Sequence, residues 1–332
     1  MIFYRIFSLM ASKRYDIIEI SFGNPLSRRY TAMKIGLSSY SLDREIEKGN
    51  MSLKDAMEFA ARNGAECMEL VPFAFRFDDP DTGKIDSAFI ANAKKWARDA
   101  GLELCNYSVL ADLCKEGEAF ENEIKRICHE VDIAAELGVP QMRHDVSSFR
   151  RPHSENTLSD FEKWMPCMIE GAKRITEYGK RAGVKTLIEN HGFFANGCDR
   201  VERILDGVSD ENYGLLLDTG NIVCVDEDPS VAAQILAPRC RMVHLKDFYI
   251  RHRDPGDSHL FDCAGTWFRS RSGKYLRGAI LAQGDLDIWQ ILGELKKAGY
   301  DGHIVVEFEG LEEGPYASSV GMQNARRIWN EV

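Results

Sequence analysis

The sequence predicts a single α/β domain of the (β/α)8 TIM-barrel class behind an N-terminal extension, and three observations predict it. Short apolar runs next to turn residues alternate with helical patterns eight times after residue 32. Strict alternation implies right-handed crossovers and a parallel sheet, and eight such units close the sheet into a barrel. The rival, a doubly wound open sheet, often carries a glycine-rich fingerprint after an early strand, and this sequence shows none.

The length and composition exclude several classes of protein. The 332 residues allow one domain or two, and an apolar fraction of 44% is ordinary for a globular chain. No run approaches the roughly 20 apolar residues of a membrane helix. The net charge of −10 disfavours nucleic acid, because proteins that bind a phosphate backbone usually present a basic face. The nine cysteines show no C-x-x-C spacing, which favours free thiols in a reducing cytoplasm.

Residues 1–32 are predicted to be an extension outside the core, and residues 33–332 to be the barrel domain. The first apolar run is short and is interrupted by Arg5, and no clear cleavage site follows it, so a signal peptide is disfavoured. Met33 looks like the natural beginning of the domain, because one basic residue and then a buried strand follow it.

The predicted strands are short apolar runs bounded by turn residues. They cover residues 34–41, 67–71, 102–108, 141–146, 185–191, 214–220, 241–247 and 303–309. The helical patterns between them cover residues 52–63, 87–100, 122–137, 158–182, 200–205, 229–236, 286–298 and 317–331. Ser52 and Asp55 form an N-cap pattern, and Gly101, Gly138 and Gly183 stand where helices should end.

Ionisable side chains end four consecutive predicted strands. Glu189, Asp218, His244 and Glu307 each follow an apolar run on the fifth to eighth strands. An ionised group there is unfavourable unless it is paired or bound to a metal, and the C-terminal ends of barrel strands converge on one mouth. Three carboxylates and one imidazole suit one divalent cation, although a solvated polar rim gives the same pattern. Glu309 is an alternative to Glu307, since strand alternation puts both on one face.

Several segments resemble the sugar isomerase/epimerase group of the xylose isomerase-like TIM barrels, over about residues 33–332. They are ENHG (189–192), LDTGN (217–221), VHLKD (243–247) and VVEFEG (305–310), with MELVPF (68–73) and MRHDV (142–146) on the second and fourth strands. The resemblance implies that Glu189, Asp218, His244 and Glu307 hold one divalent metal ion, which is Mn, Mg, Co or Zn. It also implies that Glu189 and Glu307 form the catalytic acid/base pair.

Six further residues are predicted to bind substrate. Strand alternation puts His191 on the face of Glu189 and Lys246 on the face of His244, so both are expected to reach a substrate hydroxyl or oxyanion. The other four are Glu69, His144, Asn221 and Asp247. Ordinary ion pairs explain Glu69 and His144 equally well.

These residues fit best a metal-dependent isomerase or epimerase of a sugar or sugar phosphate. A cation would polarise the carbonyl and stabilise an enediolate, while two carboxylates remove and return a proton. An inosose-type or dehydroshikimate-type dehydratase would use the same ligands and expel a hydroxyl, so the ligand set leaves it open. An apurinic-endonuclease-like phosphodiesterase and a non-catalytic sugar-binding protein are further alternatives. The predicted partner is a small sugar or polyol, with no nucleic acid and no membrane, and a homo-oligomer is left open.

One position separates this chain from the apurinic endonucleases. In those relatives a histidine matches Asn221 and helps to hold additional zinc ions, so asparagine there predicts one metal rather than three. We assign no counterpart of the Asp-x-His pair that those enzymes carry after the seventh strand.

Residues 248–284 are predicted to form a long loop that is rich in cations and aromatic residues. The cations are Arg251, Arg253, Arg269, Arg271, Lys274 and Arg277. Barrels often bind phosphate near the loops after the seventh and eighth strands. The loop is therefore expected either to cover the mouth and bind a substrate anion, or to be a solvated insertion or a subunit contact.

Overall fold

A closed barrel of eight parallel strands is the centre of the molecule, and it confirms the predicted fold class. The computed structural model describes residues 33–259 and 265–332, so the predicted extension 1–32 lies outside the described residues. The barrel strands are β1 (Lys34–Ser38), β2 (Cys67–Leu70), β3 (Glu103–Val109), β4 (Gln141–His144), β5 (Lys185–Glu189), β6 (Tyr213–Asp218), β7 (Cys240–Leu245) and β12 (His303–Val306). Each pairs with its neighbour along the chain, and β12 closes the ring between β7 and β1.

Helices follow the barrel strands and pack against them and against one another. Those of the described residues are α1 (Asp43–Glu47), α2 (Leu53–Arg62), α3 (Ser87–Ala100), α4 (Gly117–Leu137), α5 (Leu158–Ala182), α6 (Cys198–Val208), α7 (Pro229–Leu236), α8 (Ile288–Lys297) and α9 (Gly314–Glu331). None of them is long and apolar enough to cross a membrane.

The predicted helix ends are confirmed where the sequence signals are strongest. The Ser52 hydroxyl accepts a hydrogen bond from the Asp55 backbone amide, and the Asp55 carboxylate accepts one from the Ser52 backbone amide, which makes a capping box at the start of α2. Gly101, Gly138 and Gly183 end α3, α4 and α5 with φ of 74°, 75° and 76°. This left-handed conformation is one that glycine adopts without strain, so these residues stop the helices and turn the chain toward the next strand.

A layer of apolar side chains fills the barrel directly beneath the predicted metal ligands. It consists of six fully buried residues, Cys67, Cys105, Leu187, Leu216, Met242 and Val305. Four of these stand two residues before the four predicted ligands, and this spacing keeps strand side chains on one face. The ligands therefore lie on a closed apolar floor and face the C-terminal mouth of the barrel.

Part of the segment 248–284 that we predicted as a loop forms a small four-stranded sheet, so the prediction of a loop throughout was wrong. Strands β8 (Asp247–Arg251), β11 (Tyr275–Ala279), β10 (Trp267–Arg269) and β9 (Ser258–His259) pair in that order. Phe248, Phe268 and Leu276 are buried. These apolar residues sit beside charged or polar neighbours, which is the alternation of a sheet with one covered face.

Candidate metal and substrate site

A cavity of about 690 Å³ opens at the C-terminal ends of the barrel strands. It contains most of the predicted site residues: Glu189, His191, Asn221, His244, Lys246 and Glu307 line it. Phe248 and Phe268 of the small sheet give it an apolar wall, and Tyr40 and Phe73 lie on its other side. Apolar walls with a few convergent polar groups are typical of a site for a small organic ligand.

Three of the predicted ligands form what we call the Asp218 cluster: Glu189, Asp218 and His244. Their ligand atoms all lie within 4.8 Å of one another, at distances that one cation can bridge. All three side chains are buried. The fourth predicted ligand, Glu307, adjoins the cluster, because its Oε2 is 3.7 Å from His244 Nδ1.

Asp218 is held so that one carboxylate oxygen is bonded and the other is left over. Its Oδ1 accepts hydrogen bonds from the backbone amides of Gly220 and Asn221, both at 2.8 Å. Its Oδ2 is buried without a hydrogen bond and lies 3.3 Å from the Lys246 ammonium. Burial raises the pKa of Asp218 to about 6, even though Lys246 opposes the rise. Lys246 alone therefore does not compensate the cost of burying the ionised Asp218 carboxylate.

Glu69 fixes the orientation of the His244 ring. His244 Nε2 lies 2.8 Å from Glu69 Oε2, while Asn106 and Ser108 donate to the other oxygen of Glu69 at 2.8 and 2.5 Å. Burial favours the neutral imidazole, but Glu69 and then Glu307 outweigh it and raise the pKa of His244 to about 10. His244 Nδ1 is left without a hydrogen bond and faces Asp218 and Glu307. Histidine ligands of metals commonly have this carboxylate partner on the far nitrogen.

Lys246 connects the Asp218 cluster to Glu307 and Glu309. Its Nζ lies 2.6 Å from Glu307 Oε2 and 3.0 Å from Glu309 Oε2, and Tyr40 donates to the other oxygen of Glu309 at 2.7 Å. Burial opposes ionisation of Glu307, but Lys246 outweighs it and lowers the pKa of Glu307 to about 2. Glu309 is thus engaged by Tyr40 and Lys246, and Glu307 is the carboxylate nearer to the cluster.

A second group, which we call the Asp145 cluster, shares Glu189 and consists of Asp145, Glu189 and His191. The Arg143 guanidinium forms ion pairs with Glu189 and, at 3.2 Å, with Asp145. His191 Nδ1 lies 3.2 Å from Asp145, and the His191 ring stacks on Phe149 with centroids 5.0 Å apart. Burial opposes ionisation of Asp145, but Arg143 outweighs it and the pKa of Asp145 is lowered.

The chemistry of the Asp218 cluster fits a divalent ion. His244 Nδ1 and Asp218 Oδ2 are buried atoms that can bind a metal, that lack a hydrogen bond and that point to the same space. Carboxylate and imidazole donors in this number are those that Mg, Mn, Zn and related ions use. A cation there would satisfy both atoms at once.

Three predicted substrate-binding residues lie outside the described lining of the cavity: Glu69, which pairs with His244, and His144 and Asp247. His144 is fully buried, its Nδ1 bonds the Asp145 carbonyl at 2.9 Å, and burial lowers its pKa to about 4. The Asp247 carboxylate accepts hydrogen bonds from the backbone amides of Phe248 and Gly284 at 2.8 and 2.9 Å. These bonds hold the start of the small sheet to the segment that leads into α8. The structure therefore places neither the His144 nor the Asp247 side chain on a substrate. Both follow an inward-facing neighbour, Arg143 or Lys246, and strand alternation turns them outward.

The described cations of segment 248–284 do not line the cavity, which corrects the expectation of an anion-binding cover. Arg251 pairs with Asp285 at 2.8 Å, and Arg271 donates to the Val225 carbonyl at 2.8 Å. Arg277 lies over the rings of Tyr249 and Trp267. These contacts hold the small sheet together and to its neighbours.

An Asp-x-His pair does follow β7, so our statement that it has no counterpart was wrong. Residues 257–259 read Asp-Ser-His. The Asp257 and His259 side chains are 86% and 45% exposed and lie 3.6 Å from each other. Neither lines the cavity, so the structure does not bring the pair to the Asp218 cluster.

Several cavity residues were not predicted from the sequence. Arg143 was not among the predicted site residues, although its position two residues after Gln141 on β4 puts it inside the barrel. Tyr40 and Asp43 come from the connection after β1, where the sequence analysis assigned no site residue. Position at the C-terminal end of a barrel strand is the signal that could have found them.

A parallel (β/α)8 barrel with grouped carboxylates and an imidazole at its C-terminal mouth defines a TIM-barrel protein able to hold a divalent ion. The chain belongs to the xylose isomerase-like TIM barrel family, because the model of that family matches residues 57–326. This finding confirms the resemblance of the sequence motifs at the level of the family.

Two inosose dehydratases are among the proteins similar in sequence to this chain. The inosose dehydratase of Lacticaseibacillus casei is 26% identical over 144 residues, which are 43% of this chain and 46% of that protein. The inosose dehydratase of Bacillus velezensis is 26% identical over 221 residues, which are 64% of this chain and 69% of that protein. The match thus spans about half the length of the first relative and about two thirds of the second.

Solved structures of low sequence identity share the fold. The probable 3-DHS dehydratase AsbF of Bacillus anthracis has a TM-score of 0.65 at 18% identity, over 88% of this chain and 98% of that one. D-allulose 3-epimerase of Methylomonas sp. has a TM-score of 0.64 at 15% identity, over 90% of this chain and 98% of that one. Because a dehydratase and an epimerase fit about equally well, the fold does not separate the two reactions.

The sequence relatives overturn the leading functional prediction. The two relatives described above are named dehydratases, so the choice of isomerase or epimerase was wrong and the dehydratase alternative is the better supported. The physical reason for the error is that both reactions begin with removal of a proton next to a carbonyl, and the same ligands serve that step.

Proposed function

We propose that this protein is a metal-dependent dehydratase that removes water from a polyol ketone of the inosose type. The observation that carries the proposal is the similarity to two inosose dehydratases, together with an intact ligand set at the mouth of the barrel. The cavity suits such a substrate, because it joins apolar walls to several hydrogen-bonding side chains.

The proposed metal ligands are Glu189, Asp218, His244 and Glu307. A divalent ion held by them would polarise the ketone of the substrate and acidify the neighbouring C–H bond. Glu69 supports the site by holding the ring of His244, which is a positioning role rather than the substrate contact that the sequence suggested.

Glu189 and Glu307 are the proposed acid/base pair. One carboxylate accepts the proton of the C–H bond next to the carbonyl, and the electron pair of that bond forms a C=C bond as the hydroxyl on the adjacent carbon leaves. The other carboxyl group of the pair, in its protonated form, donates its proton to the hydroxyl, which departs as water. Glu307 is assigned as the proton acceptor, since it lines the cavity and Lys246 keeps it in the ionised form. Glu189 is more restrained, because Arg143 and Asn221 both bind its carboxylate.

His191 and Lys246 are the proposed contacts to substrate oxygens. The His191 ring is braced by Asp145 at Nδ1 and by Phe149 on its face, so Nε2 is the nitrogen left for a ligand. Lys246 lies between the Asp218 cluster and Glu309, where its ammonium can meet a substrate oxygen. Asn221 donates to Glu189 at 2.9 Å and therefore positions that carboxylate.

The direct test is to follow the product by mass. Protein loaded with Mn²⁺ or Mg²⁺ is incubated with an inosose, and the product is analysed by mass spectrometry. Loss of one water is expected, whereas a product of unchanged mass would exclude dehydration. Glu189→Gln and Glu307→Gln should each lower the rate by a factor of about 10²–10⁴. Glu118→Gln, an exposed change at the start of α4, is the matched control and should leave the rate unchanged.

A further inference from the structure

Asp43 is a buried carboxyl group of the cavity that the proposed reaction does not use. It is the first residue of α1, on the connection that leaves the C-terminal end of β1. It lines the same cavity as Glu189 and Glu307, and it is 5% exposed. Its place at the mouth of the barrel puts it among the residues that meet a ligand in this fold.

Neither oxygen of Asp43 has a hydrogen-bond partner among the described residues, although both are buried. The two carboxylates of the proposed acid/base pair differ in this respect. Glu189 has Arg143 and Asn221, and Glu307 has Lys246. A buried carboxyl group without a partner is unfavourable, and nearly all buried polar groups in proteins have one.

The charges around Asp43 make an ionised form still less favourable. Burial raises the pKa of Asp43 to about 8, and the Glu47 and Glu307 carboxylates add to the rise. No described cation forms an ion pair with it. A neutral carboxyl group has one O–H donor and keeps acceptor capacity, which matches the donor and acceptor character of an alcohol.

We propose that Asp43 binds a hydroxyl group of the substrate. This hydroxyl would be the hydrogen-bond partner that Asp43 lacks among the described residues. This inference rests on the proposed function for the identity of the ligand, a polyol ketone. Asp43 comes from β1, whereas the Asp218 cluster comes from β5 to β7. Asp43 forms no hydrogen bond with the proposed metal ligands or with the acid/base pair, so it acts in recognition rather than in proton transfer.

The experiment compares Asp43→Ala and Asp43→Asn with the wild type, using an inosose and a set of its monodeoxy analogues. Asp43→Ala should raise KM for the parent ketone by about 10–100-fold with little change in kcat, which is the effect of one lost hydrogen bond to a buried polar group. Asp43→Asn keeps a donor and an acceptor, so it should retain most of the affinity. With the one analogue that lacks the recognised hydroxyl, wild type and Asp43→Ala should have the same KM.

Thermal unfolding without ligand is the second readout. Removing an unpartnered buried carboxyl group should leave Tm unchanged or raise it, whereas a carboxyl group with a structural role would lower it on removal. Asp199→Asn, an exposed change in the first turn of α6, is the matched control and should alter neither KM nor Tm.

Two results would overturn the inference: an unchanged KM for the parent ketone in Asp43→Ala, or a lower Tm. Failure of the proposed function is distinguishable, because then the wild type itself would release no water from any inosose. In that case calorimetric binding of the same ketones to wild type and Asp43→Ala decides about Asp43, and equal binding or no binding to either would reject it.

Discussion

The Asp218 cluster and the Asp145 cluster contain the same kinds of side chain and differ in what neutralises them. Each has carboxylates and one imidazole with ligand atoms within 4.8 Å, and they share Glu189. In the Asp145 cluster, Arg143 lies between the two carboxylates and lowers the pKa of Asp145. In the Asp218 cluster, burial prevails and raises the pKa of Asp218 to about 6.

The difference shows that ligand type and spacing alone do not define a metal site. A fixed guanidinium already satisfies the acids of the Asp145 cluster, so a divalent ion would have to displace or approach a buried cation. The Asp218 cluster instead keeps two buried donor atoms without hydrogen bonds, His244 Nδ1 and Asp218 Oδ2. Such unsatisfied atoms, rather than the number of acids, indicate where an ion is expected.

The largest expected effect separates the two clusters by their histidines. His244→Ala removes a proposed ligand and should abolish stoichiometric binding of Mn²⁺, because the remaining acids lose a neutral donor and repel one another more strongly. His191→Ala removes the imidazole of the Asp145 cluster and should leave the bound metal intact. Elemental analysis of both purified variants checks this. Metal lost from His191→Ala and kept in His244→Ala would reverse the assignment.

The next prediction concerns the cation of each cluster. Arg143→Met leaves Asp145 and Glu189 buried without their main counter-charge and should lower the free energy of unfolding by about 3–5 kcal/mol. Lys246→Met should also destabilise the metal-free protein, but a saturating divalent ion should restore its stability. Chemical denaturation of each variant with and without Mg²⁺ measures both effects. If the ion restored the stability of Arg143→Met as fully as that of Lys246→Met, the two clusters would not differ in their need for a metal ion.

The smallest effect is the pH dependence of metal affinity. With a pKa of about 10, His244 carries a proton in the metal-free protein near neutral pH, and an ion must displace it. Affinity should therefore rise about tenfold per pH unit between pH 7 and 9. Below about pH 6, Asp218 also takes up a proton, so the decline with falling pH should steepen. Calorimetric titration with Mn²⁺ across this range tests the prediction, which a flat profile would contradict.

The barrel and the positions of its inward residues were predictable because both depend on local periodicity. Apolar runs marked the strands, and Gly101, Gly138 and Gly183 marked helix ends. The same periodicity, applied one residue further, would have turned His144 and Asp247 outward. What could not be predicted is which partner each acid finds, because these contacts form between strands. Arg143 meets Glu189 on the neighbouring strand, and Glu69 meets His244 across the closed barrel.

The small sheet was missed for a different reason. Only Lys246 separates the end of β7 from the start of β8, and the partner strand β11 lies beyond a segment of more than twenty residues. Pairing over that distance leaves only a weak local signal, since Tyr275 to Ala279 alternate over a single short run. The sequence motifs could not decide between isomerase and dehydratase, because both chemistries use one ligand set.

The apolar floor beneath the ligands determines the order in which a metal ion and a substrate can bind. Because six fully buried side chains close the barrel from below, everything that reaches Asp218 or His244 must pass through the mouth. The substrate, lying above those side chains, would block the same route. An ion is therefore expected to load first and a substrate second, and a bound substrate should slow the removal of the ion by a chelator.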